Sequence, residues 1–401
     1  MNFDPTNEQE NIRESVRAMM RGFPDSYWAE IDEKHVFPWD FYNEFAKAGF
    51  LGMVIPEDLG GSGLGIMEAG LMLYEVAASG AGLNGASAVH LSVFGINPVV
   101  KHGSDEMRKK YIPPLVRGDL HICFGVTEPD AGTDTTRIKT FARREGDTYV
   151  VNGRKVWMSK AGESQKALLL TRTTLLEECR KRTDGMTLFL ADLDRSAVTI
   201  RPIRKMGRHG VPSNEVFIDN LRVPVADRVG EEGKGFYYLL DGLNPERILI
   251  AFEAIGIGRA ALAKATQYAK DRVVFDRPIG QNQGIQFPLA DSYARLAAAE
   301  QVTLQAAWLY DNGRPCGSEA NMAKYLAGEA GFQAADRALQ THGGYGYAVE
   351  FHVERYFRES RLMRIAPISE NLILAQLAEH VLGLPRSYGR SDQRRGGGSN
   401  T

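Results

Sequence analysis

Cysteine is scarce in this chain of 401 residues. There are three cysteines, Cys123, Cys179 and Cys316, and they lie far apart in the sequence. An odd number of distant cysteines argues against a disulfide framework and favours a reducing compartment, so we expect a cytoplasmic protein. The eight histidines show no metal-ligand spacing with cysteines or carboxylates, and we expect no metal centre.

The chain also lacks a large excess of charge of one sign, and it lacks long apolar runs. Lys and Arg number 48 against 50 Asp and Glu, which gives a formal net charge of −2. Such a balance offers no electrostatic argument for a nucleic-acid or membrane-surface partner. No apolar run reaches the roughly 18 residues of a membrane-spanning helix, and the polar start of the chain has no basic-then-apolar signal pattern. We therefore expect no nucleic acid and no membrane as partners.

Glycine motifs for nucleotide binding are absent too. No Gly-x-Gly-x-x-Gly follows a predicted strand, and no P-loop sequence occurs, so a Rossmann or NTPase fold loses its main support. The hydrophobic fraction of 43% and the charged fraction of 24% are ordinary for a globular protein. The length allows two or three structural units.

Helical periodicity marks the first part of the chain. The pattern predicts helices at residues 7–21, 39–48, 66–78, 87–101 and 104–112. In the last of these, Ser104 is the expected N-cap and Pro113 the expected end. Between the predicted helices at 39–48 and 66–78, the glycines of residues 51–65 predict an irregular loop.

A period of two replaces the helical period between residues 122 and 230. Short strands are predicted at 139–145, 147–151, 167–172, 186–192, 198–202 and 215–219. The pair Asn152-Gly153 predicts a hairpin turn between strands 148–151 and 155–158. This spacing favours an antiparallel β unit.

Helical patterns return after residue 244. Long helices are predicted at about 244–272, 287–312 and 316–341. In the first of them we expect Asn244 as the N-cap, Pro245 in the first turn and the Glu246 carboxylate near the positive helix end. The fold class is therefore α+β. We expect an N-terminal α-helical domain at residues 1–121, a middle β domain at 122–234, a C-terminal helical bundle at 235–387 and a disordered tail at 388–401.

The loop at residues 123–134, Cys-Phe-Gly-Val-Thr-Glu-Pro-Asp-Ala-Gly-Thr-Asp, combines a proline, two glycines and two threonines. It cannot be a continuous helix or a central strand. Its hydroxyls and free backbone N–H groups suit a polar ligand. By itself, such a segment is more often an ordinary exit from a strand than a cofactor site.

Several motifs in order change that interpretation. They are residues 55–61 (Ile-Pro-Glu-Asp-Leu-Gly-Gly), 126–134 (Val-Thr-Glu-Pro-Asp-Ala-Gly-Thr-Asp), 152–159 (Asn-Gly-Arg-Lys-Val-Trp-Met-Ser), 205–207 (Lys-Met-Gly), 271–275 (Asp-Arg-Val-Val-Phe), 340–346 (Gln-Thr-His-Gly-Gly-Tyr-Gly) and 358–360 (Arg-Glu-Ser). With these motifs the chain resembles the acyl-CoA dehydrogenase family almost throughout, to about Tyr388. The resemblance implies an N-terminal helical domain, a middle β domain and a C-terminal four-helix bundle, in a homo-oligomer that is usually a tetramer.

The same resemblance implies FAD as the cofactor. Matching positions are Phe124, Val126, Thr127, Thr133, Trp157 and Ser159 in the middle domain, Ser369 and Asn371 near the C-terminus, and, for an adenosine half held by a neighbouring subunit, Arg272, Phe275, Gln283, Gln340 and Gly344. Thr127 would bond the pyrimidine edge of the flavin, and Thr133 the pyrophosphate. A guanidinium such as that of Arg272 pairs two phosphate oxygens at once. The alternatives are a core aromatic for Trp157, a helix-end cation for Arg272 and a helix terminator for Gly343 and Gly344.

The family removes the α proton of an acyl-CoA thioester while the β hydrogen leaves as hydride to flavin N5. Electrons then pass to an electron-transfer flavoprotein. Most members place the base in a Tyr-Glu-Gly-Thr segment near the C-terminus. Here the segment 364–371 reads Arg-Ile-Ala-Pro-Ile-Ser-Glu-Asn, so Pro367 stands at the Glu position.

Some members, such as isovaleryl-CoA dehydrogenase, carry the base on an earlier helix, directly before an Arg. That position is Glu246 here, followed by Arg247. We expect Glu246 to be the catalytic base, with a helix-start carboxylate as the alternative and Glu370 as the second candidate base. Arg247 would bind the CoA end or its ribose, or else form a surface salt bridge.

Pro367 also removes a donor. In the family, the backbone N–H at this position donates to the thioester oxygen, and proline has no N–H. Losing such a donor can cost roughly 3–4 kcal/mol of transition-state stabilisation. The alternatives to a dehydrogenase are a flavoprotein that binds a ligand with little turnover and an oxidase or monooxygenase that uses oxygen.

Overall fold

The computed structural model describes residues 4–387, and the expected α, β, α order is confirmed. The predicted tail at residues 388–401 lies outside the described residues. Within the described range, no helix is both long and apolar enough to cross a membrane. In the same range, no group of three or more His, Cys, Asp or Glu residues could hold a metal ion.

The N-terminal part is helical up to Val116. Its helices are α1 (Asn7–Met20), α2 (Asp25–Lys34), α3 (Trp39–Lys47), α4 (Ile66–Val76), α5 (Gly82–Val93), α6 (Asn97–His102) and α7 (Asp105–Val116). A single π turn at Ala77–Ala81 joins α4 to α5. The sequence pattern missed α2, which buries Trp28 and Ile31.

The expected end of α7 at Pro113 is wrong. Ser104 does cap the helix, because its hydroxyl accepts the Met107 N–H at 3.1 Å. The helix nevertheless continues through two prolines to Val116. A proline inside a helix costs about 3 kcal/mol, but burial of Leu115 and Val116 returns roughly 1.5–3 kcal/mol for each side chain.

The middle part is an eight-stranded sheet with the order β6-β7-β3-β2-β4-β5-β8, and β1 lies parallel beside β4. The strands are β1 (Ile122–Gly125), β2 (Phe141–Glu145), β3 (Thr148–Ser159), β4 (Lys166–Arg172), β5 (Met186–Asp192), β6 (Val198–Pro202), β7 (Ser213–Pro224) and β8 (Arg228–Val229). Apart from β1 and one pairing of β2 with β4, neighbouring strands run antiparallel.

The predicted hairpin turn at Asn152-Gly153 is wrong. The two residues lie inside the continuous strand β3, where its pairing with β7 shifts register between Val151 and Gly153. Asn152 is held there because its side-chain oxygen accepts the Asn220 N–H at 2.8 Å. The turn that reverses the chain is instead at Gly146 and Asp147, between β2 and β3.

The C-terminal part is helical again. It contains α8 (Gly235–Leu240), α9 (Leu243–Asp271), α10 (Gln283–Asp311), α11 (Gly317–His342), α12 (Val353–Ser360) and α13 (Glu370–His380), with the small hairpin β9 (Val273–Val274) and β10 (Arg277–Pro278) between α9 and α10. Asn244 is not the N-cap of α9, since the helix already begins at Leu243. The Glu246 N–H donates to Gly242 O at 3.2 Å, which places Asn244 in the first turn.

Helices α9 and α11 pack with their backbones almost touching. A Cβ atom on Gly331 would lie 2.3 Å from Ala254 O, and one on Gly258 would lie 2.9 Å from the Gly331 Cα. Such close packing requires residues without side chains at the crossing. On its other side, α9 packs against α4, and one apolar core joins the N-terminal and C-terminal helices.

Candidate functional site

A buried ion pair holds the loop that follows β1. The Lys155 ammonium group donates to Glu128 Oε1 at 2.8 Å and to the backbone oxygen of Val126 at 3.0 Å. Glu128 also accepts the N–H groups of Lys139 and Thr140. Burial lowers the pKa of Lys155 to about 8, although the Glu128 charge opposes this change. These hydrogen bonds from Lys155 and to Glu128 hold the loop in its conformation.

A backbone bond joins this loop to the end of β3. The Val156 N–H donates to Thr127 O at 2.9 Å, so Thr127 and Trp157 lie next to each other. Trp157 has a φ of 62° and leaves 57% of its surface exposed, which excludes the alternative of a core aromatic. Ser159, two residues further along β3, is half-buried, and its hydroxyl accepts a bond from Arg208 at 3.1 Å.

The remaining predicted residues of this segment differ in exposure. Phe124, Val126 and Thr127 are half-buried, and Thr133 is exposed further along the loop. The turn between Glu128 and Ala131 closes the loop by two backbone bonds. Together with Trp157 and Ser159, these residues offer apolar surface and hydroxyl groups from two neighbouring segments.

The other predicted cofactor residues form a second, separate group at one end of the helical bundle. The Arg272 guanidinium lies over the Tyr345 ring at 5.7 Å, which joins the end of α9 to the segment after α11. Phe275, in the β9–β10 hairpin, is 93% exposed. Gln283, Gln340 and Gly344 are also exposed. Among the described residues, no hydrogen bond, ion pair or ring contact joins this group to Thr127 or Trp157.

The segment around Pro367 is held by neighbouring helices. The Lys324 ammonium group donates to Ile368 O at 2.7 Å, and Ser369 caps α13 by accepting the Leu372 N–H at 3.4 Å. Asn371 is exposed in the first turn of α13. Arg364 binds both carboxylate oxygens of Glu370, at 2.7 and 2.8 Å. This bidentate pairing occupies both oxygens that a base would use, and it argues against Glu370 in that role.

Glu246 lies in the first turn of α9 and points toward α5. Its Oε2 atom lies 2.8 Å from His90 Nε2, and 26% of its side chain is exposed. His90 is buried, and its other ring nitrogen, Nδ1, lies 2.5 Å from Oε1 of the fully buried Glu253. The sequence pattern did not find this arrangement. Its one signal is the spacing of Glu246 and Glu253, which puts both carboxylates on one face of a helix.

The corner between α5 and α6 brings the β1 loop close to the start of α9. A Cβ atom on Gly95 would lie 2.9 Å from Phe124 Cε2, and one on Gly242 would lie 3.6 Å from Phe94 Cε1. Phe124 and the first turn of α9 are therefore on two sides of the same corner. Glu246 is thus near the loop that carries Phe124, Val126 and Thr127.

Arg247 is half-buried beside Asn244, whose side-chain oxygen accepts a bond from Nη1 at 2.9 Å. Burial lowers the pKa of Arg247, and its Nε atom is buried without a hydrogen-bond partner. Among the described residues no carboxylate forms an ion pair with it. The alternative of a surface salt bridge is therefore not supported, and the guanidinium keeps free donors.

Comparison with known proteins identifies the same three parts of the chain. Family models match the three parts of the chain in turn: the acyl-CoA dehydrogenase N-terminal domain at residues 6–119, the middle domain at 123–221 and the C-terminal domain at 233–382. The chain belongs to the acyl-CoA dehydrogenase family of oxidoreductases.

Individual relatives cover nearly the whole chain. Acyl-CoA dehydrogenase FadE12 of Mycobacterium tuberculosis is 37% identical over 388 residues, which is 96% of this chain and 99% of that protein. The structure of butyryl-CoA dehydrogenase from Megasphaera elsdenii has a TM-score of 0.90 and 29% identity, and covers 95% of this chain and 100% of that chain. A chain in a structure described as the electron transferring flavoprotein of Acidaminococcus fermentans has a TM-score of 0.89, 28% identity and the same two coverages.

Proposed function

We propose that this protein is an FAD-dependent acyl-CoA dehydrogenase with Glu246 as its catalytic base. One observation carries the proposal. The Glu246 carboxylate is partly exposed beside the corner that holds Phe124, whereas Glu370 is occupied by Arg364. A general base must reach its substrate and have a free oxygen. Oε1 of Glu246 has no hydrogen bond to any described residue.

The residues of the β1 loop and of β3 fit a flavin. An exposed indole at Trp157 and the apolar side chains of Phe124 and Val126 suit a flat aromatic ring, and the Thr127 and Ser159 hydroxyls suit its polar edge. The Lys155–Glu128 pair keeps the loop in shape beneath them. When bound, FAD supplies the two-electron acceptor for a hydride.

The reaction follows from the position of the base. Oε1 of Glu246 takes the α proton of the thioester, and the electron pair of that C–H bond forms the new bond between the α and β carbons. The β carbon loses a hydride, so an enoyl-CoA and a protonated Glu246 remain. Arg247, with its free donors, would bind the CoA end or its ribose.

The second group of cofactor residues supports a proposed homotetramer. Arg272, Phe275, Gln283, Gln340 and Gly344 are exposed and do not reach the β1 loop of their own chain. In the proposed assembly they hold the adenosine half of a neighbouring subunit's FAD, and Ser369 and Asn371 bind on the flavin side. We further propose an electron-transfer flavoprotein as the electron acceptor and the cytoplasm as the location.

The first test is anaerobic reduction of the flavin by a panel of acyl-CoA thioesters. We expect rapid bleaching with at least one straight or branched chain. In Glu246→Gln, the FAD content should stay normal and the rate of bleaching should fall about 100- to 10,000-fold, because the amide cannot accept a proton. Glu370→Gln is the matched control and should bleach within a few-fold of the wild type. Unchanged bleaching in Glu246→Gln would remove Glu246 from the mechanism.

Pro367 favours a second candidate function. It is exposed and has no N–H to donate to a thioester oxygen. A flavoprotein that binds its ligand with little dehydrogenation would tolerate this loss. A panel in which no acyl-CoA reduces the flavin, although several bind, would support this candidate. Rapid peroxide formation with a substrate in air would instead indicate an oxidase or monooxygenase.

A further inference from the structure

A buried histidine joins the proposed base to a second carboxylate. His90 lies on α5, and both ring nitrogens are used: Nε2 lies 2.8 Å from Glu246 and Nδ1 lies 2.5 Å from Glu253. The three side chains become progressively more buried, from Glu246, which is 26% exposed, to Glu253, which is fully buried. An ionised carboxylate can only accept hydrogen bonds, so a histidine between two of them must donate from both nitrogens.

We propose that His90, anchored by Glu253, is a positioning residue that aims the Glu246 carboxylate for proton removal. This inference rests on the proposed function of Glu246. The imidazole ring is rigid and is fixed at both ends, so it holds Oε2 of Glu246 in one place. Oε1 is then the oxygen that faces the substrate.

The electrostatics of the cluster agree with this geometry. Burial opposes a charge on His90, but the neighbouring carboxylates outweigh it and raise the pKa of His90 well above its usual value. A positive charge on His90 favours negative charge in its surroundings, including that of an anion formed beside Glu246.

Arg208 extends the cluster toward the flavin side. It lies in the segment between β6 and β7, close enough for the Glu253 charge to act on it. Its Nη2 atom donates to Ser159 Oγ at 3.1 Å and to Ser213 Oγ at 3.0 Å. Among the described residues, Glu246 and Glu253 from α9 are the charged groups that face His90, and Arg208 is near enough to Glu253 for their charges to interact. Charges of alternating sign thus extend from Ser159 to the base.

Stability alone does not explain why these charged side chains are buried together. Replacing a buried ion pair by apolar side chains of similar size is often neutral or stabilising. The cluster instead ends at a partly exposed oxygen next to the cofactor loop. Its position favours a role in proton removal.

The test uses the FAD-loaded enzyme and a 3-thia-acyl-CoA with the chain length of its best substrate. Sulfur replaces the β carbon of this ligand, so the ligand can lose an α proton but has no β hydride to give. Proton removal then appears alone, as a long-wavelength absorbance band of the ligand anion beside the flavin. The band is titrated against pH in the wild type, His90→Gln, Glu253→Gln and the control His102→Gln. The control removes a histidine–carboxylate pair of 2.8 Å at the surface, between His102 and Asp241.

We expect the pH midpoint of the band to rise by about one unit or more in His90→Gln, because a positive neighbour is lost. Glu253→Gln should shift it in the same direction, because His90 loses one of the two carboxylates that favour its positive charge. His102→Gln should leave it unchanged. With the substrate, kcat at pH 7 should fall about tenfold in His90→Gln, and KM should change less than threefold.

Unchanged midpoints in both variants, with FAD retained, would overturn the proposal. If His90→Gln does not fold, Glu253→Gln decides alone, since it keeps the histidine and the side-chain volume. A band that persists in Glu246→Gln would instead contradict the proposed function, so the two failures can be told apart.

Discussion

Several lysine side chains are buried in this molecule, and burial lowers the pKa of Lys155 and of Lys160. Lys155 is fully buried and is bound by Glu128 and a backbone oxygen. Lys160 is also buried, and its ammonium group reaches Ser92 Oγ at 3.1 Å. Burial lowers the pKa of Lys160 to about 8. Its charge acts on a neighbouring histidine, His121, which leads to a prediction at this scale.

His121 should weaken the fold in acid. It is 7% exposed, and its ring lies 5.0 Å from those of Trp39 and Tyr42. Burial and then the nearby Lys160 lower the pKa of His121 to about 4. The unfolded chain therefore binds more protons than the folded one between pH 6.5 and 4, and stability is lost as the pH falls through this window. The loss approaches about 3 kcal/mol at its end.

The variant His121→Phe keeps an aromatic ring and removes the titration. Thermal unfolding should show that the difference in stability between variant and wild type shifts in favour of the variant from pH 6.5 down to pH 4. Above pH 7 the two proteins should respond to pH in parallel, which serves as the internal control. A constant difference across the whole range would contradict this role of His121.

Helices pack most closely where glycine leaves room for a neighbouring backbone, as the packing of α9 against α11 shows. The packing of the two helices depends on small residues at their crossing, because Gly331 and Gly258 let the backbones touch. The Ala and Gly residues of α9 are typical of a helix that packs closely, but they do not identify the partner helix. Distance along the chain hides such partners.

The substitution Gly331→Ala should destabilise the protein. The new Cβ atom would lie 2.3 Å from Ala254 O, so the helices must move apart. We expect a loss of about 1–3 kcal/mol in chemical denaturation. Gly284→Ala, in the first turn of α10, is the matched control, because a Cβ atom there meets nothing within 4 Å. It should leave stability unchanged or raise it by up to about 1 kcal/mol.

Local signals predicted this fold where local forces decide it, as at the Ser104 cap. They failed where contacts with residues distant in the sequence determine the local structure. Asn152-Gly153 carries a strong turn signal, yet pairing with β7 on both sides keeps β3 continuous. Pro113 should end a helix, yet the buried residues after it continue the helix. His90 and Glu253 are 163 positions apart, and no local pattern connects them. The motifs of the family, by contrast, identified the fold along nearly the whole chain.

At the scale of the whole molecule, the residues proposed to bind the cofactor fall into two groups that one chain does not bring together. Phe275, a member of the second group, belongs to the β9–β10 hairpin, where Val273 and Val274 also expose apolar side chains. Apolar surface of this kind marks an interaction site. In the proposed tetramer, the subunit interface and cofactor binding therefore depend on each other.

The substitution Phe275→Glu should reduce both the oligomeric state and the FAD content. A carboxylate is costly to bury in an apolar interface. Light scattering should show smaller assemblies, and the ratio of flavin to protein should fall at least severalfold. Leu175→Glu is the control, since Leu175 is also exposed but lies between β4 and β5. A Phe275→Glu protein that remains a tetramer with full FAD would contradict the shared interface.

The Lys155–Glu128 pair has a further consequence for how the protein would acquire the proposed FAD. Its bonds to the Val126 carbonyl and to the backbone of Lys139 and Thr140 are complete within the chain itself. The loop therefore already has its shape before any ligand arrives, and little ordering entropy remains to oppose association. Uptake of FAD should accordingly follow the rate of encounter, in proportion to cofactor concentration, instead of waiting for a slow rearrangement of the loop.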